Sequence, residues 1–254
     1  MLHAADNEDH KDMGKLDGKV ALVTGGGRGL GRGIARGLAR EGARLVLAAR
    51  NADELQSAER ELVGLGALVL TVPTDVTDEA QVESLFGRAI ERFGRLDVLV
   101  NNAGAFDGGP LDELSTEAWD KVIAVNLRAP FLCTRAVMRI MKRQGVGRII
   151  NIGSISAQRV RHGSAPYSAS KHGLWGLTQV TALEGREHGI TCGCLHPGNV
   201  LVERRHTSRT EDTEPMMSVD EMAEVAVLMA TLPPHATMLE AIVLPREQPY
   251  VGRG

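Results

Sequence analysis

The sequence lacks the features that nucleic-acid-binding and membrane-spanning proteins need. Its aromatic residues are two Trp, two Tyr and four Phe among 254 residues, too few for a platform on which bases stack. A formal net charge of −3 leaves no basic excess with which to bind phosphates. There is no apolar run of about 18 residues or more, so the sequence contains no candidate transmembrane helix. We therefore expect neither a nucleic-acid partner nor a membrane partner.

Cysteine is also scarce. The three residues Cys133, Cys192 and Cys194 are an odd number, and the polar N-terminal sequence lacks the apolar core of a signal peptide. We expect a reducing, cytoplasmic setting. Cys192 and Cys194 stand two apart, so on a strand both point to one face, and no second Cys pair or His cluster accompanies them at zinc-ligand spacing. We expect packed thiols and no metal site.

Glycine, by contrast, is abundant, with 29 residues that cluster instead of recurring at every third position, which indicates tight backbone turns. Residues 1–15 are polar and rich in charge, and we expect them to form a disordered arm. From residue 19 short aliphatic runs alternate with stretches of helical period, two of which predict long helices at about 116–143 and 164–188. The alternation predicts an α/β fold, with residues 16–254 forming a single Rossmann-type domain. Its doubly wound parallel sheet would have about seven strands, within three layers.

Residues 199–215 are polar, charged and non-periodic, and they follow directly on a predicted strand. Open α/β sheets bind their ligands at the carboxyl ends of the strands. The segment is therefore either a lid over a bound ligand or an ordinary surface loop.

The turn after the first strand has the composition of a phosphate-binding site. Its glycines allow a tight turn and a close approach of the backbone to a ligand. The helix that follows directs free amides and its positive end at the same point, where a pyrophosphate would fit. The residues that we assign to this site are Thr24, Gly25, Arg28, Gly29, Leu30 and Gly31.

The end of the second strand should distinguish the two nicotinamide dinucleotides. An acidic residue there would bond the free ribose 2′-hydroxyl of NAD, whereas a basic residue would accommodate the 2′-phosphate of NADP. The strand ends at Arg50, and Arg28 of the glycine turn could approach the same phosphate. Given a nucleotide site, this pair favours NADP(H) over NAD(H). The alternative is that both arginines are simply solvated.

Tyr167 and Lys171 lie four residues apart in a predicted helix, so both side chains can reach one ligand. A nearby ammonium stabilises the phenolate form of a tyrosine, which makes the phenol a usable general acid and base. Taken alone, such a pair is usually structural. Here it belongs to an ordered series of motifs that begins with the glycine turn. The other members, in chain order, are residues 101–104 at a strand end, Asn126 in a helix, Ser154 at a strand end, and Pro197 and Gly198 after a strand.

This series resembles the short-chain dehydrogenase/reductase family over residues 19–245. The resemblance implies an oxidoreductase that interconverts a secondary alcohol and a ketone with NADP(H). Within the implied catalytic tetrad, Tyr167 would exchange a proton with the substrate oxygen and Ser154 would stabilise the charge developing on it. Lys171 would hold the nicotinamide ribose, and Asn126 would anchor a water in a proton relay. The other residues implied to contact the cofactor are Asp75, Val76, Asn102, Ala103, Gly104, Pro197, Gly198 and Val200, together with Tyr167 and Lys171 themselves.

The chain departs from the family pattern at two places. Where members often carry a Thr that meets the nicotinamide carboxamide, this chain has Val202, so a backbone amide or Asn199 must serve instead. The C-terminal sequence lacks the common Asp-Gly-Gly ending and resembles that of the NADP-dependent hydroxy-acid dehydrogenase branch. This departure leaves open a catalytically silent nucleotide-binding or scaffold protein. An isomerase or dehydratase that borrows the cofactor is a further alternative.

The substrate, a small carbonyl compound or alcohol, stays open because one tetrad serves many of them. Arg159, Arg161 and His162, and again residues 204–206, could grip an acidic substrate or be merely solvated. Family members commonly form tetramers through their long helices, and we expect a homo-oligomer, either a tetramer or a dimer. The helix residues that could supply such a contact, or instead pack inside the protomer, are Leu174, Trp175, Leu177 and Val180.

Overall fold

A parallel sheet forms the centre of the structure. The computed structural model describes residues 14–202 and 215–250. In this part of the chain the strands are β1 (Val20–Thr24), β2 (Arg44–Ala49), β3 (Val69–Pro73), β4 (Val98–Asn101), β5 (Gly147–Ile152), β6 (Ile190–Pro197) and β7 (Glu240–Val243). They lie in the order β3-β2-β1-β4-β5-β6-β7. Every neighbouring pair is parallel, so all strands end at the same edge of the sheet.

Helices cover both faces of this sheet. They are α1 (Gly29–Arg40), α2 (Ala52–Gly64), α3 (Glu79–Phe93), α4 (Thr116–Ile123), α5 (Ala129–Gln144), α6 (Ala165–Gly185) and α7 (Val219–Thr231). One apolar core joins α1, α2 and α7 to the sheet, and a second joins α3 and α5 to the opposite face. All five residues of β1 are buried, as expected of a strand covered on both sides. The predicted doubly wound, three-layered sheet is confirmed.

The order of the strands creates a crevice at the carboxyl edge of the sheet. The connections from β1 lead outward to β2 and β3, whereas the chain from β3 returns to β4 on the other side of β1. The loops that follow β1 and β4 therefore diverge to opposite faces. Such a point of reversal is where open α/β sheets bind their ligands.

The helix predicted at about 116–143 is interrupted. Between α4 and α5 the residues Ala124–Arg128 form a π-helical turn with Asn126 at its centre. Pro130 explains part of this departure, because it has no backbone N–H to donate to the carbonyl four residues earlier, which is that of Asn126. Single π-helical turns of this kind often occur at functional sites.

The three cysteines are free, buried thiols, as the sequence predicted. Burial raises the pKa of Cys133 to about 12 and also raises the pKa of Cys192 and Cys194. Among the described residues, no group of three or more His, Cys, Asp or Glu side chains is placed to hold a metal ion. None of the described helices is both long and apolar enough to cross a membrane.

Two predicted segments lie largely outside the described residues. Of the arm predicted at residues 1–15, the structure describes residues 14 and 15 only. Of the lid predicted at residues 199–215, it describes 199–202 and 215. The start of that segment pairs with the residues just after it. Leu201 donates its backbone N–H to the carbonyl of Met217 at 2.8 Å, and Met217 donates to the carbonyl of Asn199 at 2.9 Å.

Candidate active site

The loops after β1 and β4 are tied together by Thr24 and Asn102. The Thr24 hydroxyl oxygen accepts hydrogen bonds from the backbone N–H groups of Asn102, at 3.0 Å, and Ala103, at 3.1 Å. The Asn102 amide in turn donates to the carbonyls of Thr24, at 2.9 Å, and Gly25, at 3.3 Å. Four residues that the sequence assigned to cofactor binding thus form one hydrogen-bonded unit.

The glycine turn is packed too closely for side chains. Gly25 has a φ of 65°, a left-handed conformation that glycine adopts at little cost. A Cβ on Gly31 would lie 2.3 Å from both the Gly25 carbonyl oxygen and the Asn102 amide nitrogen. Leu30 anchors the turn by packing against the core. At the start of α1, Arg28 makes no side-chain capping bond to the first amides of the helix. The turn is therefore shaped for an anion to approach backbone amides.

The two arginines predicted to bind a 2′-phosphate differ in their surroundings. The Arg28 guanidinium donates to the Glu54 carboxylate at 3.0 Å, and its side chain is 61% exposed. Arg50 is also exposed and directly follows β2. The two therefore lie near the same edge of the sheet, but Arg28 is held by an acidic partner that the sequence analysis did not anticipate.

Asp75 and Val76 follow β3 at the same edge of the sheet. The Asp75 carboxylate accepts bonds from the backbone N–H of Thr77 at 2.9 Å and from its hydroxyl at 2.7 Å. The backbone N–H of Asp75 donates to the Gln81 side chain at 2.8 Å. Val76 is buried against the second core. The turn is therefore internally braced, with Asp75 at the position where the family resemblance implies a contact to adenine.

Asn126 links the loop after β4 to α6. It is fully buried in the π-helical turn, and its amide both accepts from the Ala105 N–H and donates to the Ala105 carbonyl, each at 2.8 Å. The same amide nitrogen lies 3.2 Å from the Ser170 hydroxyl oxygen, and that hydroxyl donates to the Tyr167 carbonyl at 2.7 Å. Through these bonds Asn126 connects the backbone of Ala105 with Ser170, whose hydroxyl is bonded to the Tyr167 carbonyl.

Tyr167 and Lys171 share one face of α6, as their spacing predicted. The Lys171 ammonium lies 5.7 Å from the centre of the Tyr167 ring. The lysine is buried, and its ammonium donates to the Ile152 carbonyl at 2.8 Å, at the end of β5. Phe106, from the loop after β4, contacts the tyrosine ring edge-on with 5.3 Å between ring centres. The tyrosine ring on α6 is thereby packed against the loop after β4.

Ser154 lies two residues beyond β5 and is 7% exposed. Its hydroxyl oxygen accepts a bond from the Ser156 N–H at 3.1 Å, at the start of a short 3-10 turn over Ile155–Ala157. Because the oxygen acts as acceptor in this bond, the hydroxyl hydrogen can be directed at a ligand. The end of β5 therefore presents the serine on the side of the sheet where Lys171 meets Ile152.

The turn after β6 approaches the glycine turn. Gly198 donates its backbone N–H to the Val243 carbonyl at 2.8 Å, and the N–H of Asn199 donates to the Gln248 side chain at 2.8 Å. Val200 is buried in the first core. Val202 packs over the glycine turn, its Cγ1 lying 3.7 Å from where a Cβ on Gly29 would be. Val202 thus links the turn after β6 to the glycine turn, whereas the described contacts of Gly198 are with Val243, Leu244 and Gln248.

His196, the residue before Pro197 in β6, was not singled out from the sequence. It is fully buried and lies beneath Ser154, with 2.9 Å between its Nδ1 and the serine carbonyl oxygen. A signal was present, since a polar residue interrupts an otherwise apolar strand end. Its partners could not be predicted, because they come from β5 and β7 rather than from nearby sequence.

The sequence is similar to those of known dehydrogenases and reductases. A sequence profile described as short chain dehydrogenase matches residues 19–213. Levodione reductase of Leifsonia aquatica is 35% identical over 246 residues, which are 89% of this chain and 92% of that protein. Gluconate 5-dehydrogenase of Gluconobacter oxydans is 39% identical over 196 residues, 76% of each chain. The chain belongs to the short-chain dehydrogenase/reductase family.

A solved structure extends the similarity to three dimensions. A metagenomic short-chain oxidoreductase in complex with NADP matches with a TM-score of 0.81 and 37% sequence identity. The match covers 91% of this chain and 98% of that one. The chain is therefore an oxidoreductase of this family by fold and by sequence.

The close packing of the glycine turn yields a first prediction. We expect Gly31→Ala to destabilise the protein by about 1–3 kcal/mol, the usual cost of an added carbon in a packed site, because the nearest atoms are backbone and the partly buried amide of Asn102. Gly87→Ala in α3 is the matched control, since a Cβ there would meet nothing within 4 Å. It should stabilise the helix by about 0.5–1 kcal/mol. Urea unfolding measures both variants, and an unchanged midpoint for Gly31→Ala would contradict the close approach.

Proposed function

We propose that this protein is an NADP(H)-dependent oxidoreductase that interconverts a secondary alcohol and a ketone, with Tyr167 as general acid and base. The observation that carries the proposal is the contact that Lys171, which lies over the Tyr167 ring, makes with the end of β5 close to Ser154 in sequence. The lysine binds the end of β5, and the serine follows that same strand two residues later. A phenol and a hydroxyl donor that reach the same substrate oxygen would serve proton exchange with it.

The residues at the crevice fit a nicotinamide dinucleotide. The glycine turn leaves a cradle that side chains would fill, and the first amides of α1 have no side-chain cap from Arg28. Gly25 and Gly29 would face the pyrophosphate, and Asp75 the adenine. Asn102, Ala103 and Gly104 would approach it from the other side of the crevice. When bound, the nicotinamide supplies the hydride in reduction and accepts it in oxidation.

The chain's own groups then handle the proton and the charge. In reduction Tyr167 donates its phenolic proton to the carbonyl oxygen as that oxygen gains negative charge. Ser154 donates a hydrogen bond to the same oxygen. The Lys171 ammonium, fixed by the Ile152 carbonyl, stabilises the phenolate that remains. In oxidation the phenolate removes the proton of the alcohol.

Asn126 contributes by holding the first turns of α6 against the loop after β4. Its bonds to Ala105 and to Ser170 connect the element that carries Phe106 with the element that carries Tyr167. A fully buried amide with all of these partners fixes one geometry, because breaking any of the bonds would strand a polar group away from water. The phenol is therefore positioned before a substrate arrives.

Tyr167→Phe tests the assigned proton donor. The substitution keeps the ring and its edge contact with Phe106 and removes only the hydroxyl. We expect kcat for ketone reduction to fall by about 100-fold to 10,000-fold, the usual contribution of a general acid. Cofactor affinity and the thermal midpoint should stay at the wild-type value. Turnover of the variant at the wild-type rate would exclude Tyr167 as the acid.

Arg50→Ala tests the choice of cofactor. Removal of a guanidinium from the 2′-phosphate should weaken NADPH binding by about 1–3 kcal/mol, or about 5-fold to 150-fold, with little effect on NADH. Arg40→Ala, an exposed position in the last turn of α1, is the matched control. Glu54→Gln should raise the preference for NADPH, since it releases Arg28 from its ion pair. Nicotinamide fluorescence titration measures all four proteins, and an unchanged ratio of the two affinities in Arg50→Ala would contradict the assignment.

A further inference from the structure

The C-terminal sequence that departs from the family pattern lies against the back of the Ser154 loop. Glu240 begins β7 at the edge of the sheet, and residues 244–250 continue from the end of that strand. Two of its side chains, those of Glu240 and Tyr250, contact Gln158, which follows the 3-10 turn after Ser154. The departure is therefore adjacent to the candidate catalytic serine.

His196 supports the backbone of Ser154. Its Nδ1 lies 2.9 Å from the serine carbonyl oxygen and 3.3 Å from the serine backbone nitrogen. A Cβ on Gly153 would lie 2.6 Å from the same Nδ1, so the chain passes the ring without room for a side chain. The Trp175 ring meets the imidazole edge-on, with 5.8 Å between ring centres. The position of the imidazole thus sets the position of the Ser154 backbone.

Glu240 faces the other nitrogen of this imidazole. Its carboxylate oxygen lies 3.4 Å from Nε2, and Nε2 makes no hydrogen bond at normal distance within the described residues. Burial lowers the pKa of His196, and the Lys171 ammonium lowers it further, whereas the Ser154 carbonyl and Glu240 oppose the shift. The ring is therefore neutral near pH 7 and carries one proton.

The carboxylate decides which nitrogen carries that proton. A lone pair on Nε2 directed at a carboxylate oxygen would be repelled, whereas an N–H there is attracted. We therefore expect Nε2 to hold the proton, so that Nδ1 accepts a bond from the Ser154 N–H at 3.3 Å. Without the carboxylate, the proton would move to Nδ1, where the serine carbonyl oxygen is the nearer partner at 2.9 Å.

Gln158 and Tyr250 hold the carboxylate in place. The Gln158 amide donates to Glu240, and its carbonyl oxygen accepts from the Tyr250 hydroxyl at 2.5 Å. The Arg159 guanidinium covers the Tyr250 ring at 5.6 Å from its centre. Hydrogen bonds thus connect Tyr250 to Gln158 and Gln158 to Glu240, and Glu240 faces His196 at 3.4 Å beside Ser154.

We propose that Glu240 and Tyr250 are positioning residues for Ser154, acting through His196 and Gln158. The proposal rests on the proposed function for the role of the serine hydroxyl. Glu240 selects the His196 tautomer whose Nδ1 accepts a bond from the Ser154 N–H. Tyr250 fixes the Gln158 side chain, which in turn fixes the Glu240 carboxylate. The C-terminal segment is then part of the catalytic apparatus although it does not touch the substrate.

Steady-state kinetics of Glu240→Gln and Tyr250→Phe test the catalytic consequence. For Glu240→Gln we expect kcat to fall by about tenfold to a hundredfold, the scale of a slightly misplaced catalytic group. For Tyr250→Phe we expect a fall of about threefold to tenfold, the scale of one hydrogen bond. NADPH affinity and thermal midpoint should stay unchanged in both. Glu247→Gln, an exposed residue of the same segment paired only with Arg246 in the described contacts, is the control and should match the wild type.

A wild-type kcat in both Glu240→Gln and Tyr250→Phe would overturn the proposal. So would equal losses in the Glu247→Gln control, because these would reflect the segment as a whole and not the two side chains. Both positions are partly or wholly exposed, so the variants should fold.

Nitrogen-15 spectra of the histidine rings test the structural link without any turnover. Comparison with His196→Gln identifies the His196 signal among the eight histidines. We expect the proton on Nε2 in the wild type and on Nδ1 in Glu240→Gln. A wild-type proton on Nδ1, or an unchanged tautomer in the variant, would overturn the link between Glu240 and His196. If the wild type turns over no alcohol or ketone, the proposed function fails, and this spectrum alone decides the link.

Discussion

The contact between the Thr24 hydroxyl and the backbone after β4 is the constraint on which the rest of the site depends. β1 and β4 are neighbours in the sheet, but their connections leave toward opposite faces. One hydroxyl that accepts two amide protons keeps the two chain ends together where they would otherwise separate. The Asn102 amide then occupies the space in which a Gly31 side chain would lie. The loops that follow β1 and β4 therefore have a fixed relative position before any ligand binds.

A second set of buried polar contacts places the reacting groups above this floor. Lys171 binds the end of β5, and Asn126 binds the loop after β4 together with Ser170 of α6. Each of these contacts joins elements distant in sequence, and each would leave a buried polar group without a partner if broken. The geometry around Tyr167 is consequently a property of the folded sheet and not of α6 alone. Ser154 is held in the same manner, by His196 beneath it.

Features that depend on nearby residues were predictable from the sequence. The alternation of aliphatic runs with helical stretches predicted the parallel sheet and its layers, and the glycine spacing predicted the tight turn after β1. The four-residue spacing of Tyr167 and Lys171 predicted their shared face. The expectation of a helix over about 116–143 was wrong at Ala124–Arg128, where a π-helical turn intervenes. Pro130 was visible in the sequence, but the way the backbone adapts to it depends on the buried bonds of Asn126.

Features that depend on side-chain pairing across the fold were not predictable. Arg28 meets Glu54 of the next helix, and His196 meets Glu240 of the edge strand. Which residues face each other in such pairs follows from the register of the strands and the rotation of the helices, and neither leaves a local signal. The unusual C-terminus was recognised as a departure from the family. Its contact with Gln158 could be found only once β7 was placed beside β6.

Transfer of deuterium tests the account most directly. The purified protein would be incubated with NADPH carrying deuterium at both C4 positions of the nicotinamide and with a panel of small prochiral ketones. We expect one deuterium on the carbinol carbon of each alcohol formed, and loss of this product in Tyr167→Phe. NADPH that binds without deuterium appearing in any alcohol product would contradict it, and would favour a protein that holds the nucleotide without transferring hydride.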